Sequence, residues 1–105
     1  MPLDPLDDDD PAFAVTVYSI MDRYRSGIVE RRTACRALSA ITLALAPENL
    51  LDGDAEDRLA VFFEGRLDAY RDDIDPEIAK RDVVRLIQAA AEADWDVLRT
   101  YGFGG

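Results

Sequence analysis

The chain has 105 residues, with 22 acidic and 12 basic side chains, a formal charge of −10, no histidine and one cysteine. Without histidine the usual general base, the Ser–His–Asp and Cys–His arrangements and most zinc sites are excluded. A lone cysteine cannot close an internal disulfide, and the longest strongly apolar stretch, Ala37 to Ala46, is far shorter than the roughly 20 residues that span a bilayer.

Residues 1–10, MPLDPLDDDD, hold five Asp and no base. They read as a disordered acidic tail, because like charges repel and there is little to bury. Such a segment is the opposite of a basic, apolar leader, so a cytoplasmic protein is expected. Residues 11–105 are expected to form one domain, a length near the usual domain size. Asp10-Pro11 reads as a helix start, with Asp as cap and Pro at the first helical position.

Helix 1 is expected from about Pro11 to Arg25, burying Phe13, Val17, Ile20, Met21 and Tyr24, which recur at helical spacing. Gly27 supplies a left-handed end. Helix 2 is expected from Ile28 or Val29 to Ala46, with Ala34, Leu38, Ile41 and Leu45 as its stripe and Pro47 as its stop. Being apolar nearly all round from Ala37 to Ala46, it is expected to be the most buried helix. Asp54 is expected to cap helix 3, which buries Leu59, Phe63, Leu67, Tyr70 and Ile74. Asp75-Pro76 starts helix 4, expected to run on to Tyr101, with Gly102 as cap and Phe103 folding back on it.

Four amphipathic helices with short connections and no strand alternation imply an all-α fold, an antiparallel bundle of two helical hairpins. The charge is partitioned along it: −5 in residues 1–10, +3 in 11–46, −8 in 47–79 and neutral in 80–105. Either the basic hairpin pairs internally with the acidic helix 3, or these surfaces face a partner.

Sites for chemistry are scarce. Neither a P-loop nor GxGxxG is present. Asp52-Gly53-Asp54-Ala55-Glu56 starts like a calcium loop, but Phe63 stands where the bidentate Glu belongs. Cys35 has arginine neighbours in sequence but no histidine, and reads as an inert, partly buried thiol. No catalytic residue, cofactor or metal site is therefore expected, and the chain is read as not an enzyme.

Some residues break the helical pattern. Asp94 falls amid the arc formed by Val83, Ile87, Ala90, Leu98 and Tyr101, and Arg66 lies at the edge of the helix 3 face. Both are candidates for a buried ion pair, because an unpaired buried charge costs several kcal/mol. Phe62 and Trp95 lie beside their helices' main stripes. They either fill the sides of the core or form an apolar strip for a partner.

The expected function is a small acidic protein-binding module. Its acids at Asp52, Asp54, Glu56, Asp57, Glu64, Asp68, Asp72, Asp73 and Asp75 would engage a basic surface of a partner protein. It would act as an inhibitor or regulator, in the manner of DNA-mimicking anti-defence proteins or of immunity proteins and antitoxins. The alternative is a structural component that self-associates through helix 4, a homodimer being its simplest form. Direct nucleic-acid binding is disfavoured by the net charge.

Overall fold

Most helix ends have a local cause in the sequence, whereas the first two helices begin at Ala14 and Arg31, a few residues later than expected and without a capping side-chain hydrogen bond. The computed structural model describes residues 11–48, 50 and 53–103; the acidic tail and Asp52 lie outside them. The helices are α1 (Ala14–Arg25), α2 (Arg31–Leu45), α3 (Gly53–Arg71), α4 (Pro76–Glu92) and α5 (Trp95–Thr100), and no strand occurs among the described residues. No helix is long and apolar enough to cross a membrane, among the described residues.

α1 ends as the Ser-Gly pair predicts. Gly27 has φ +80°, the Ile28 N–H donates to the Arg23 carbonyl (2.8 Å) and the Gly27 N–H to the Tyr24 carbonyl (3.0 Å). These are the paired bonds of a left-handed helix end. α2 stops because Pro47 disfavours helical geometry in the residue before it; Ala46 is extended at φ −69°, ψ 145°. Asp54 lies inside the first turn of α3 rather than at its cap, since the helix already includes Gly53.

The same left-handed ending closes α3 at Asp73 (φ 60°) and α5 at Gly102 (φ +91°). At α5 the Phe103 N–H reaches the Leu98 carbonyl at 2.9 Å, and Phe103 is buried as expected. At α3 the turn carries Ile74 outward, where it is 61% exposed, which corrects its expected place in the core.

Helix 4 does not continue to Tyr101. Ala93 adopts φ 56°, and the Asp94 N–H bonds back to the Ala89 carbonyl at 2.8 Å, closing α4. Asp94 then caps α5, its carboxylate accepting from the Val97 N–H at 3.3 Å. Sequence periodicity missed this break because Ala normally favours helix. A left-handed alanine costs about 1–2 kcal/mol, while glycine costs about 0.4–1 kcal/mol through the freer unfolded chain. Ala93→Gly is therefore expected to stabilise the protein by about 0.5–1 kcal/mol. Urea unfolding checks this; an equal or lower stability would count against strain at Ala93.

α4, not α2, is the central helix. It packs against α1, α2, α3 and α5, and Ala79, Val83, Val84, Leu86, Ile87, Ala89 and Ala90 are all buried. On α2 only Ala34, Cys35, Leu38 and Thr42 are buried, while Ala40, Ala44 and Leu45 are exposed. An alanine-rich helix reads as apolar all round, yet Ala is chosen as readily for helix propensity at the surface. Thr42 is fully buried, and its hydroxyl donates to the Leu38 carbonyl at 2.8 Å.

Candidate protein-binding surface

The acids of α3 divide into two sets by what surrounds them. Asp68 near the C-terminal end of α3 and Asp73 in the turn after it meet the basic end of α1 and the start of α2, while Asp72 pairs with its neighbour Arg71. Asp68 accepts from the Tyr24 hydroxyl (2.9 Å) and Arg31 (2.9 Å), and Arg71 stands 3.7 Å away while donating to the Tyr24 oxygen (2.7 Å). Arg25 pairs with Asp73 at 2.6 Å, Arg71 with Asp72 at 3.1 Å, and the Tyr70 hydroxyl donates to Asp22. The guanidiniums of Arg25 and Arg71 also lie over the rings of Tyr70 and Tyr24, at 5.1 and 5.3 Å. Internal pairing therefore accounts for Asp68, Asp72 and Asp73, together with Arg25 and Arg31 of the basic hairpin.

Burial of these hydroxyls has a measurable consequence. Burial, then the hydrogen bond to Asp22, pushes the Tyr70 phenol from 10.0 up to about 12. Burial also raises Tyr24, with Asp68 adding to it. It holds the Cys35 thiol, which donates to the Ala60 carbonyl at 3.3 Å, up at about 11. A folded pKa above the unfolded one means the native state keeps its proton longer. The contribution is thus full below the unfolded value and is lost as pH rises through the folded one. For Tyr70, stability is expected to fall between pH 10.0 and about 12, beyond a decline that Cys35 begins earlier. Tyr70→Phe should flatten that upper limb in urea unfolding measured against pH; parallel declines in the two proteins would rule out Tyr70 as its source.

The acids earlier in α3 are different. Asp54, Glu56, Asp57 and Glu64 are exposed and have no ion pair within 4.0 Å among the described residues; the same holds for Asp75, in the turn before α4. At about 100° per residue, Asp54, Asp57 and Glu64 share the outer face of α3 with Val61, which is 73% exposed. Beside this face lies an open groove of about 650 Å³, lined by Asp57, Arg58, Val61, Phe62, Tyr101 and Gly102. Arg58 reaches the Gly102 carbonyl at 3.4 Å, linking α3 to the chain after α5.

Phe62 is half-buried, edge-on to Phe63 (5.5 Å) and to Tyr101 (5.2 Å). Trp95 is half-buried against the core but does not line this groove, so the two residues do not form one strip there. Arg66 lies over the Phe62 ring at 5.0 Å and stands 3.3 Å from Asp82. That contact is electrostatic, because the buried Arg66 Nε makes no hydrogen bond. Asp82 also accepts from the Tyr101 hydroxyl at 3.2 Å. The acid facing Arg66 is thus Asp82, while Asp94 serves as a helix cap.

Periodicity alone found neither Asp82 nor the tyrosine–carboxylate pairs. Tyr18, Tyr24, Tyr70 and Phe62 at the core edge each face a cation, Tyr18 through Lys80 at 4.6 Å. The available signal was the clustering of Tyr and Arg near helix ends. Among the described residues, no group of three or more His, Cys, Asp or Glu side chains is arranged to hold a metal ion. What the outer α3 face offers a ligand is charge and apolar contact. In comparisons with protein-family models, curated proteins and solved structures, nothing matches this chain.

Proposed function

We propose that the chain is a non-enzymatic protein-binding module, an inhibitor or regulator that docks a basic surface of its partner. In this reading α1 to α4 form an antiparallel four-helix bundle of two hairpins, and the outer face of α3 is the docking element. The single observation carrying it is the division of the acids of α3 and of the turn after it: Asp68, Asp72 and Asp73 are ion-paired, whereas Asp54, Asp57 and Glu64, which share the outer face, have no ion pair among the described residues. Like charges left together on one surface repel each other, and a cationic partner relieves that repulsion while speeding encounter. Self-association through α4 has less behind it, because the wide apolar arc that suggested it is buried among neighbouring helices.

The test is capture of the native partner from host extract by the full chain, compared with two variants. One carries Asp54→Asn, Glu56→Gln, Asp57→Asn and Glu64→Gln; the control carries Glu92→Gln and Asp96→Asn, also exposed acids. Loss with the first, retention with the control and a steep decline with salt are expected. Equal capture by both variants would refute the reading.

A further inference from the structure

We propose that the groove between α3 and the segment following α5 receives a cationic segment of the partner carrying one apolar anchor side chain. The inference rests on the protein-binding reading and gives the partner a chemistry. Val61 is the large apolar side chain on the outer face of α3, and at 73% exposure it covers nothing in its own core. Next to it the edge-on pair of Phe62 and Tyr101, 5.2 Å between centroids, forms an apolar wall already fixed by packing. Gly102, held at φ +91° by the helix ending, closes one side. The volume of about 650 Å³ falls in the range of pockets that seat small ligands or side-chain groups, roughly 300–1,000 Å³. An aliphatic or aromatic side chain fits such a wall, and anchors of this kind dominate interface energies.

Charge decides the rest of the occupant. Asp54, Asp57 and Glu64 lie within about 60° of Val61 around the helix axis. The positive charge of Arg66 is already answered by Asp82 at 3.3 Å, which leaves Arg58 as the nearby cation without an ion pair among the described residues. Within the groove Asp57 and Arg58 balance, and the negative excess comes from Asp54 and Glu64 on the helix face beside it, so a Lys- or Arg-bearing segment is attracted along that flank and an acidic one repelled. One turn beyond Val61, Gly65 has nothing within 4 Å of where a Cβ would stand, so this face is open to an extended or helical segment.

The experiment titrates the labelled full chain by NMR with two synthetic peptides of equal lysine content. One carries a single Trp and the other Ser at that position. The Trp peptide is expected to bind about tenfold tighter or more, to shift the amide signals of Val61, Phe62, Tyr101 and Gly102, and to lose that advantage with Val61→Ser. Because Val61 is exposed, this variant keeps the fold, checked by its melting curve. Equal affinities, no binding, or shifts confined to other surfaces would overturn the inference. Native-partner capture separates the two ideas. Capture abolished by the acid substitutions but untouched by Val61→Ser removes the groove and leaves the protein-binding reading; capture that survives the acid substitutions removes the reading itself.

Discussion

Phe63→Ala is expected to lower the unfolding free energy by about 3–5 kcal/mol, the range for emptying a buried phenylalanine site. Phe63 is fully buried, the largest such side chain, and stands at the middle of α3 where that helix meets the core. Its ring also supports Phe62 edge-on at 5.5 Å, so the cavity would loosen the groove wall along with the core. A domain of this size has a total stability of roughly 5–15 kcal/mol, so a large share would be lost. Urea unfolding measures it, with Val61→Ala on the exposed face expected to change stability by no more than about 0.5 kcal/mol. A Phe63→Ala loss below about 1 kcal/mol would mean that the core collapses onto the gap or is packed differently.

Asp68→Ala should cost about 1–2 kcal/mol, although Asp68 is an acid in a protein already rich in them. A bare repulsion argument predicts the reverse, since removing one negative charge from a chain at −10 relieves self-repulsion. The geometry decides against that. Asp68 accepts from the Tyr24 hydroxyl and from Arg31, each at 2.9 Å, and faces Arg71. Hydrogen bonds to charged groups are worth about 1.5–3 kcal/mol, discounted here because the Asp68 side chain is 32% exposed and Arg31 51% exposed. Tyr24 is 5% exposed and would keep Arg71 as a donor to its oxygen while its own proton lost an acceptor. A double-mutant cycle with Arg31→Ala isolates the ion-pair share. Unchanged or increased stability in Asp68→Ala would show that net repulsion outweighs this network.

Most of the helices were legible because their ends are written in local chemistry. Ser26-Gly27, Ala46-Pro47 and Gly102-Phe103 each mark a boundary that the backbone geometry accounts for, and Asp75-Pro76 marks the start of α4 although Asp75 is left-handed (φ 50°) and its side chain makes no capping bond. The break at Ala93 was not legible, because nothing in its side chain favours a left-handed turn. Consequently the periodicity places Asp94 inside a long helix, whereas it is the acceptor that starts a new one. The buried side was legible for α3, Ile74 apart, and for α4 through large side chains such as Phe63, Leu67, Val83 and Ile87, but the central place of α4 was not. The pattern was misleading for α2, where alanine carries little information about which side is inside.

The surface was legible only as a sum. The sequence shows a basic hairpin and an acidic third helix, but pairing between distant segments depends on packing that no single stretch encodes. Asp68 and Glu64 lie one turn apart on the same helix, yet Asp68 meets Tyr24 and Arg31 while Glu64 remains exposed without an ion pair among the described residues. Arg66 could be recognised as a pairing cation, but its acceptor Asp82 comes from α4, and only helix packing brings them to 3.3 Å.

The central claim is that the acids of α3 serve two purposes, folding at its C-terminal end and contact with a partner along its outer face. The most direct measurement is the urea-unfolding free energy of a variant carrying Asp54→Asn, Asp57→Asn and Glu64→Gln. Because these carboxylates have no ion pair among the described residues, the predicted change is within about 1 kcal/mol in either direction. Asp54 gives up a favourable helix-dipole contact, and the loss of like charges offsets it. A destabilisation of about 2 kcal/mol or more, at or above that expected of Asp68→Ala, would place the outer acids in the folding network and contradict the division.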